Sequence, residues 1–337
     1  MRSSKSLCFA LALAGAALGT SCGRGPTAPS TPPVSISCPV AQSAQSLDGN
    51  PVIVTYPGPT ASGGQGVLST SCTPATGSRF NVGTTNVTCT TQDTRQQTAS
   101  CGFQVTVTRV PRISATRFMA FGDSMTEGFL TTCPVTTLSE GWTVEDDLEL
   151  LRTVRPPGFS AVAYPLKLQS MLSARYAAQS VIVINEGSGG ETAVFGATQF
   201  PGVVSNDMPQ AVLLLEGIND INQGGASAIT PVISSLRSMV QDAKRRGMSV
   251  FLATLLPQRK GSCRDFDWRD GVEDVVPANA QIRTLASTEG VTLVDLYPAF
   301  APALGTLIGP DGLHPSEAGY QKMADLFYAA ITQRLEQ

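Results

Sequence analysis

The sequence predicts a doubly wound α/β domain preceded by a small all-β unit. Three observations carry this. From Arg112 onward, five short apolar runs lie between helical stretches: Arg117–Phe121, Val181–Ile184, Ala211–Leu215, Ser249–Leu255 and Val291–Val294. None alternates, so each reads as a strand buried on both faces of a parallel sheet. Upstream, residues 36–110 consist of short β-rich runs broken by Gly, Pro and Asn, and Phe103–Thr108 alternates as a half-buried strand does.

In chain order, residues 1–22 read as an export signal. Arg2 and Lys5 supply positive charge, and the apolar run Leu7–Leu18 is too short to span a membrane. It ends in small residues before Cys22, which marks Cys22 as a lipidation candidate, with ordinary cleavage and release as the alternative. Residues 23–35 are rich in Pro, Thr, Ser and Gly and read as an extended tether. No other segment is apolar enough for a span, so membrane contact is expected only through such an anchor.

Residues 36–110 contain two acidic residues, Asp48 and Asp93, and four cysteines, Cys38, Cys72, Cys89 and Cys101. Pro51–Tyr56 is a further strand candidate. A small all-β unit of this kind suggests an immunoglobulin-like sandwich. In an exported chain the four cysteines imply disulfides, with 3 connectivities open. The run from Cys72 through Pro74 and Phe80, then Val82-Gly83-Thr84, Asn86, Cys89, Asp93 and Cys101-Gly102-Phe103, resembles a hyalin repeat, or HYR module. That resemblance implies an extracellular or cell-surface ligand, or a spacer that only displays the next domain.

The second domain, residues 112–337, contains one helix read with particular clarity, Thr230 to Arg246. Thr230 is the expected cap, Pro231 suits the first turn, and Gly247 stops the helix. Ile229, Val232, Ile233, Leu236, Met239, Val240 and Ala243 mark one face. A final helix follows Pro315, with Met323, Leu326, Phe327, Ala330 and Ile331 on one face.

Composition removes several functions. The 23 basic and 26 acidic residues leave a net charge of −3, against a polybasic nucleic-acid binder. The chain has 1 histidine, His314, so zinc sites built from two or three imidazoles are excluded. Zinc on the four cysteines is the alternative to disulfides, but no Cys-x-x-Cys pair supports it, and no metal or cofactor is expected.

Four short motifs fall just after the strand runs. They are Gly122-Asp123-Ser124, Gly189-Gly190-Glu191-Thr192, Gly217-Ile218-Asn219-Asp220 and Asp311-Gly312-Leu313-His314. Taken singly, each reads as an ordinary turn or cap. In an open α/β sheet, turns at the carboxyl ends of the strands converge on one crevice. Ser124, at a strand-to-helix turn, is the candidate nucleophile, with the helix N-terminus favouring negative charge there. A serine needs a base, and His314 is the one imidazole available. Asp311, three residues earlier, is placed to orient it. The N–H groups of Ser124 and Gly190 and the amide of Asn219 are candidate oxyanion donors. Asp123 is expected to bond the surrounding turns rather than His314.

Residues 112–337 resemble the SGNH (GDSL) hydrolases through Ser124, Gly190, Asn219 and His314 in their four blocks. That family implies a three-layer α/β/α fold, strand order 2-1-3-4-5 and metal-free ester hydrolysis. Met125 stands where Leu is usual, and the second block reads Gly-Gly-Glu-Thr rather than Ser-Gly-Asp-Thr. The Gly190 assignment therefore rests on counting back from Thr192.

Two long loops flank the motifs. Val144, Leu148 and Leu151, in residues 129–160, follow helical spacing and read as a surface helix or a cap over the site. The loop 257–280 carries Arg264, Phe266 and Trp268. Each loop holds one cysteine, so a Cys133–Cys263 disulfide is expected. The sequence thus describes an exported serine esterase, secreted or lipid-anchored at the cell envelope. Its ester substrate is an acylated carbohydrate, as for a polysaccharide O-deacetylase, or a lipid, as for a lipase or lysophospholipase. The non-enzymatic alternative is an adhesion or matrix-binding protein with a vestigial site.

Overall fold

A computed structural model describes residues 31–130, 161–259 and 272–337. Cys22, Cys133 and Cys263, the helix around Leu148, and Arg264, Phe266 and Trp268 lie outside the described residues, as do the export signal and most of the tether. The chain divides into two compact units, Met1–Arg109 and Val110–Gln337.

The first unit is all-β. Its strands are β1 (Ser35–Ser37), β2 (Gln42–Ser46), β3 (Val52–Val54), β4 (Thr60–Ser62), β5 (Ser69–Thr73), β6 (Ser78–Phe80), β7 (Gly83–Gln92) and β8 (Thr98–Arg109). A four-stranded sheet runs β2-β8-β7-β5, with the pairs β1-β4 and β3-β6 beside it. The alternation read in Phe103–Thr108 has the expected physical cause. Phe103, Val105 and Val107 are buried with Val54, Tyr56, Phe80 and Val87, while Gln104 and Thr108 face water. The cysteines pair Cys38–Cys101 and Cys72–Cys89, and the second bridge joins residues in register across β5 and β7.

The second unit carries five parallel strands: β9 (Arg117–Gly122), β10 (Ile182–Gly187), β11 (Ala211–Leu215), β12 (Ser249–Ala253) and β13 (Thr292–Val294). Their order is β10-β9-β11-β12-β13, which is 2-1-3-4-5 within this unit. All five residues of β11 are buried, as its unbroken apolar run requires of a central strand covered on both faces.

The helices are α1 (Ser124–Glu127), α2 (Tyr164–Arg175), α3 (Ala193–Asp207), α4 (Ile218–Gly224), α5 (Ile229–Arg245), α6 (Val272–Glu289), α7 (Leu296–Phe300), α8 (Leu304–Leu307) and α9 (Glu317–Leu335). Helix α2 packs on α9, with the Tyr164 and Phe327 rings stacked 4.9 Å apart. Helices α3, α5 and α6 pack in series. Right-handed crossovers put these two groups on opposite faces, because the chain moves one way from β9 to β10 and the other way from β10 to β13. The seven residues read as the inner face of α5 are the ones it buries. Thr230 does not cap this helix. A 3₁₀ turn, Gly225–Ala228, runs directly into α5, so Thr230 already lies inside it and the cap position falls on Ala228. The far end stops at Gly247, whose φ of 77° lets its N–H and that of Met248 turn back to Lys244 and Ala243.

Candidate active site

Four connections at the carboxyl ends of β9, β10, β11 and β13 build the site. The first is the turn from β9. Gly122 is required by close packing, since a Cβ there would collide with the Leu215 carbonyl oxygen on the neighbouring strand. Asp123 then caps α1, its Oδ1 accepting the Met125 N–H at 2.9 Å, as the sequence reading expected. The helix begun by Ser124 is a single turn ending at Gly128. The aligned dipole of a long helix is therefore not available to Ser124, and stabilisation of negative charge must come from individual N–H donors.

Ser124 Oγ lies 2.8 Å from His314 Nε2. His314 Nδ1 lies 2.5 Å from Asp311 Oδ2, while Asp311 Oδ1 accepts the N–H groups of Leu313 and His314 at 3.0 Å each. The Asp311 carboxylate is thus locked to its own loop by one oxygen and to the imidazole by the other. Asp311 is 2% exposed, Ser124 7% and His314 9%. The line of three groups is shielded from bulk water, which strengthens its hydrogen bonds.

The His314 loop is held from several sides. The His314 carbonyl accepts the Gly309 N–H at 2.7 Å, and Ser316 caps α9 immediately afterwards. Arg259 donates its backbone N–H to Gly312 and its guanidinium to the Gly309 carbonyl, at 2.7 and 2.8 Å. Phe129 covers the imidazole with ring centroids 4.7 Å apart, and Tyr320 fixes Phe129 by donating its hydroxyl to the Phe129 carbonyl at 2.7 Å.

The connections after β10 and β11 are tied to each other and to the first. The Ser188 N–H bonds the Gly122 carbonyl at 2.8 Å. Asn219 Nδ2 donates to the Glu191 carbonyl at 2.7 Å, which uses one of its two hydrogens. Asp220 accepts the Ala193 N–H at 2.7 Å and the Val194 N–H at 3.4 Å, so it holds the start of α3. Gly190 has φ 83° and open space around its Cβ position. The N–H groups of Ser124, Gly189 and Gly190 have no hydrogen-bond partner among the described residues. The structure therefore brings Ser124, His314 and Asp311 into contact and ties the Asn219 and Gly190 connections together.

The electrostatics of this end of the sheet are dominated by buried acids. Burial pushes the Asp123 carboxyl up to about 7, assisted by the nearby charges of Asp220 and Glu191 and opposed by the Met125 N–H. Burial likewise raises Glu216 well above the usual carboxylate range, with Asp123, Glu191 and Asp220 adding to it. Asp220 and Glu191 are raised by burial as well. Sequence reasoning passed over Glu216, Asp220, Phe129 and Arg259 as participants. A signal existed for Glu216, a lone acid ending the wholly apolar run Ala211–Leu215. Phe129 and Arg259 gave none, because their partners are more than forty residues away.

Residues 120–322 match the GDSL-like lipase/acylhydrolase family, which is more than half of the chain. The chain belongs to that family. Residues 29–107 match the HYR domain. Among solved structures, this GDSL-like chain is similar to an alpha/beta hydrolase enzyme from the metagenome of Lake Arreo, Spain. The identity is 20% and the TM-score 0.50, with 65% of this chain and 96% of that one covered. It also matches Axe2, an acetylxylan esterase from Geobacillus stearothermophilus, at 23% identity and TM-score 0.47, covering 65% and 95%. The lipase/acylhydrolase from Enterococcus faecalis matches at 22% identity and TM-score 0.47, covering 65% and 96%. No curated protein matches the chain.

Proposed function

We propose that this GDSL-family hydrolase is an exported serine esterase that cleaves carboxylic esters through an acyl-enzyme on Ser124. The observation that carries the reading is the continuous line from the Ser124 hydroxyl through His314 to Asp311, at 2.8 and 2.5 Å. Ser124 Oγ attacks the ester carbonyl carbon as its proton passes to His314 Nε2. Asp311 holds the ring with Nδ1 protonated and stabilises the imidazolium. The oxyanion accepts hydrogen bonds from the Ser124 and Gly190 N–H groups and the second Asn219 hydrogen. Collapse breaks the ester C–O bond, and His314 returns its proton to the departing alcohol. Water then gives a proton to His314 and attacks the acyl carbon; the acyl–Oγ bond breaks as His314 passes that proton to Ser124 Oγ, releasing a carboxylic acid and the free enzyme.

Two substrate classes fit this chemistry. A polysaccharide O-deacetylase suits a chain that pairs a hydrolase with an HYR module, whereas a lipase or lysophospholipase requires room for a long acyl chain. Residues 111–337 hold 17 basic and 24 acidic residues, net −7, so a strongly anionic polymer is the poorer substrate. Activity across nitrophenyl esters from acetyl to palmitoyl separates the two. Export is supported by the Cys38–Cys101 and Cys72–Cys89 disulfides and by the HYR match. The mass of the mature N-terminus distinguishes lipidation at Cys22 from release.

The deciding experiment is Ser124→Ala. It is expected to lose at least about a thousandfold in kcat on p-nitrophenyl acetate and to lose labelling by a fluorophosphonate. Undiminished hydrolysis by the variant would falsify the assignment. A wild-type protein that neither hydrolyses nor labels would favour the adhesion reading.

A further inference from the structure

The segment that follows β12 has no place in the ester mechanism just given, yet it is anchored at residue after residue. Thr254 gives its N–H to the Val294 carbonyl at 3.1 Å. Its hydroxyl donates to Asp295 Oδ1 at 3.0 Å and accepts the Tyr297 N–H at 3.1 Å. The wholly buried Asn279 of α6 clasps Leu255, accepting its N–H at 2.8 Å and donating to its carbonyl at 2.9 Å. Gln258 Nε2 then donates to Asn222 Oδ1 at 2.7 Å. Asn222 lies three residues beyond Asn219 on α4, so the two sit on neighbouring turns of one face. Arg259 ends the series, its backbone N–H and Nη2 donating to the Gly312 and Gly309 carbonyls at 2.7 and 2.8 Å.

Gln258 and Arg259 are adjacent, and adjacent Cα atoms are about 3.8 Å apart. The helix that carries Asn219 and the loop that carries His314 are thus held by neighbouring residues, with little slack between them. The bonds inside the His314 loop fix its shape but not its place. Asp311 Oδ1 accepts the Leu313 and His314 N–H groups, the Gly312 N–H meets the Gly309 carbonyl, and the Gly309 N–H meets the His314 carbonyl. The two bonds from Arg259 reach this loop from outside it, at residues on either side of Asp311. The guanidinium bond is charge-assisted, and its charge is permanent. Arg259 Nε is buried without a partner among the described residues. An unsatisfied buried donor costs stability, so this arginine is a poor device for stability alone.

We propose that Arg259 is a positioning residue for the base: its guanidinium holds Gly309 so that the His314 loop presents Nε2 to Ser124 Oγ, in step with the helix that Gln258 secures through Asn222. The kinetic consequence rests on the Ser124–His314–Asp311 reading; the placement of the imidazole does not. Nε2 lies 2.8 Å from the Ser124 hydroxyl, a distance that a small displacement of the loop destroys. Without the guanidinium the loop keeps its internal bonds and shifts as a unit. His314 and Asp311 then stay paired while the contact to Ser124 lengthens. The loss falls on proton transfer, and so on kcat, rather than on ester binding.

The test combines kinetics with magnetic resonance on the full chain. Any side chain at position 259 keeps the backbone bond to Gly312, so substitutions isolate the guanidinium. Arg259→Met is expected to lose about tenfold in kcat on p-nitrophenyl acetate with little change in KM, the effect of one hydrogen bond from a charged group. The rate is counted per Ser124 titrated by a fluorophosphonate, and the melting temperature is expected to stay near that of the wild type. Arg259→Lys keeps a charged donor without the planar fork and is expected to lose less than about threefold. Guanidinium ion added to Arg259→Ala is expected to restore part of kcat, where sodium at equal ionic strength does not. His314 is the single imidazole of the chain, so its ring resonances report its placement directly. They are expected to be sharp in the wild type and broadened by exchange in Arg259→Met. A merely structural Arg259 predicts a lower melting temperature and fewer titratable sites, with kcat per site and the ring resonances unchanged, and that result overturns the proposal. So does a Met variant as fast as the Lys variant. The resonances are read without turnover, so their broadening in Arg259→Met, together with a Ser124→Ala variant that still hydrolyses esters, rejects the Ser124 reading and leaves the placement standing. Unbroadened resonances in a Met variant of an enzyme that needs Ser124 reject the placement alone.

Discussion

The Phe129 ring packs on the His314 imidazole with centroids 4.7 Å apart and planes tilted by 54°. The contact restricts the ring motion that would carry Nε2 away from Ser124. An aromatic pair of this kind contributes about 0.5–1.5 kcal/mol beyond its buried area. Phe129→Ala is therefore expected to lower kcat about two- to tenfold with little change in KM, and steady-state kinetics on a short-chain ester measures it. An unaltered kcat in a folded variant would show that the Asp311 bond alone orients the imidazole.

Asp311→Asn is expected to be far more severe. Its remaining side-chain oxygen can still accept the Leu313 and His314 N–H groups, so the loop keeps its shape. The introduced NH₂ then faces His314 Nδ1 and forces the proton onto Nε2, where no base is left for Ser124. A loss on the order of 10⁴-fold in kcat follows, as in other triads with the wrong tautomer. A residual rate within about tenfold of wild type would remove Asp311 from the mechanism.

Asn219 works through two hydrogens. One is bound to the Glu191 carbonyl at 2.7 Å, which fixes the amide plane, and the other is the oxyanion donor in the proposed mechanism. Asn219→Ala is expected to cost about 10²–10³ in kcat, the usual effect of deleting one oxyanion donor. Asp220→Asn keeps one acceptor for the Ala193 and Val194 N–H groups and is expected to cost less than Asn219→Ala. The reverse order of severity would make the tie to α3, rather than the Asn219 donor, the controlling element.

The buried acids set the pH dependence of stability. Asp123, Glu191, Glu216 and Asp220 all have folded values raised above their unfolded ones, burial being the first cause in each case. Between roughly pH 4 and pH 7 the folded protein therefore binds more protons than the unfolded chain, and stability falls as pH rises through that window. Thermal unfolding of the hydrolase unit is expected at lower temperature at pH 8 than at pH 5, with the difference reduced in Glu216→Gln. Glu289, lowered through its bonds to Lys244 and Gln241, acts in the opposite sense only near its own lower range. A melting temperature that rises from pH 5 to pH 8 would show that these acids are ionised in the fold.

Much of this protein was legible before any coordinates. Ala211–Leu215 is continuous and apolar because a central parallel strand meets helices on both sides, and that pattern depends only on local burial. Phe103, Val105 and Val107 announced their strand for the matching reason on a half-buried sheet. The motif residues Ser124, Asn219, Asp311 and His314 could be picked out because turns at one end of a parallel sheet must converge. The cap of α5 was misplaced because the 3₁₀ turn feeding it leaves no mark in hydrophobic spacing.

The one-dimensional chain determined which residue types stood at which strand ends. Only the tertiary structure decided which of them touch. Ser124 and His314 are 190 residues apart and meet because β9 and the segment after β13 both open at the carboxyl end of the parallel sheet. The same packing buries both Glu216 and Asp123 and lays Phe129 across the imidazole. Proton affinity depends on solvent access and on neighbouring charge, and both are properties of the packed volume rather than of the residue. A carboxyl that sequence counts as one more negative charge, such as Glu216, is for that reason pushed toward its neutral form by burial among other acids.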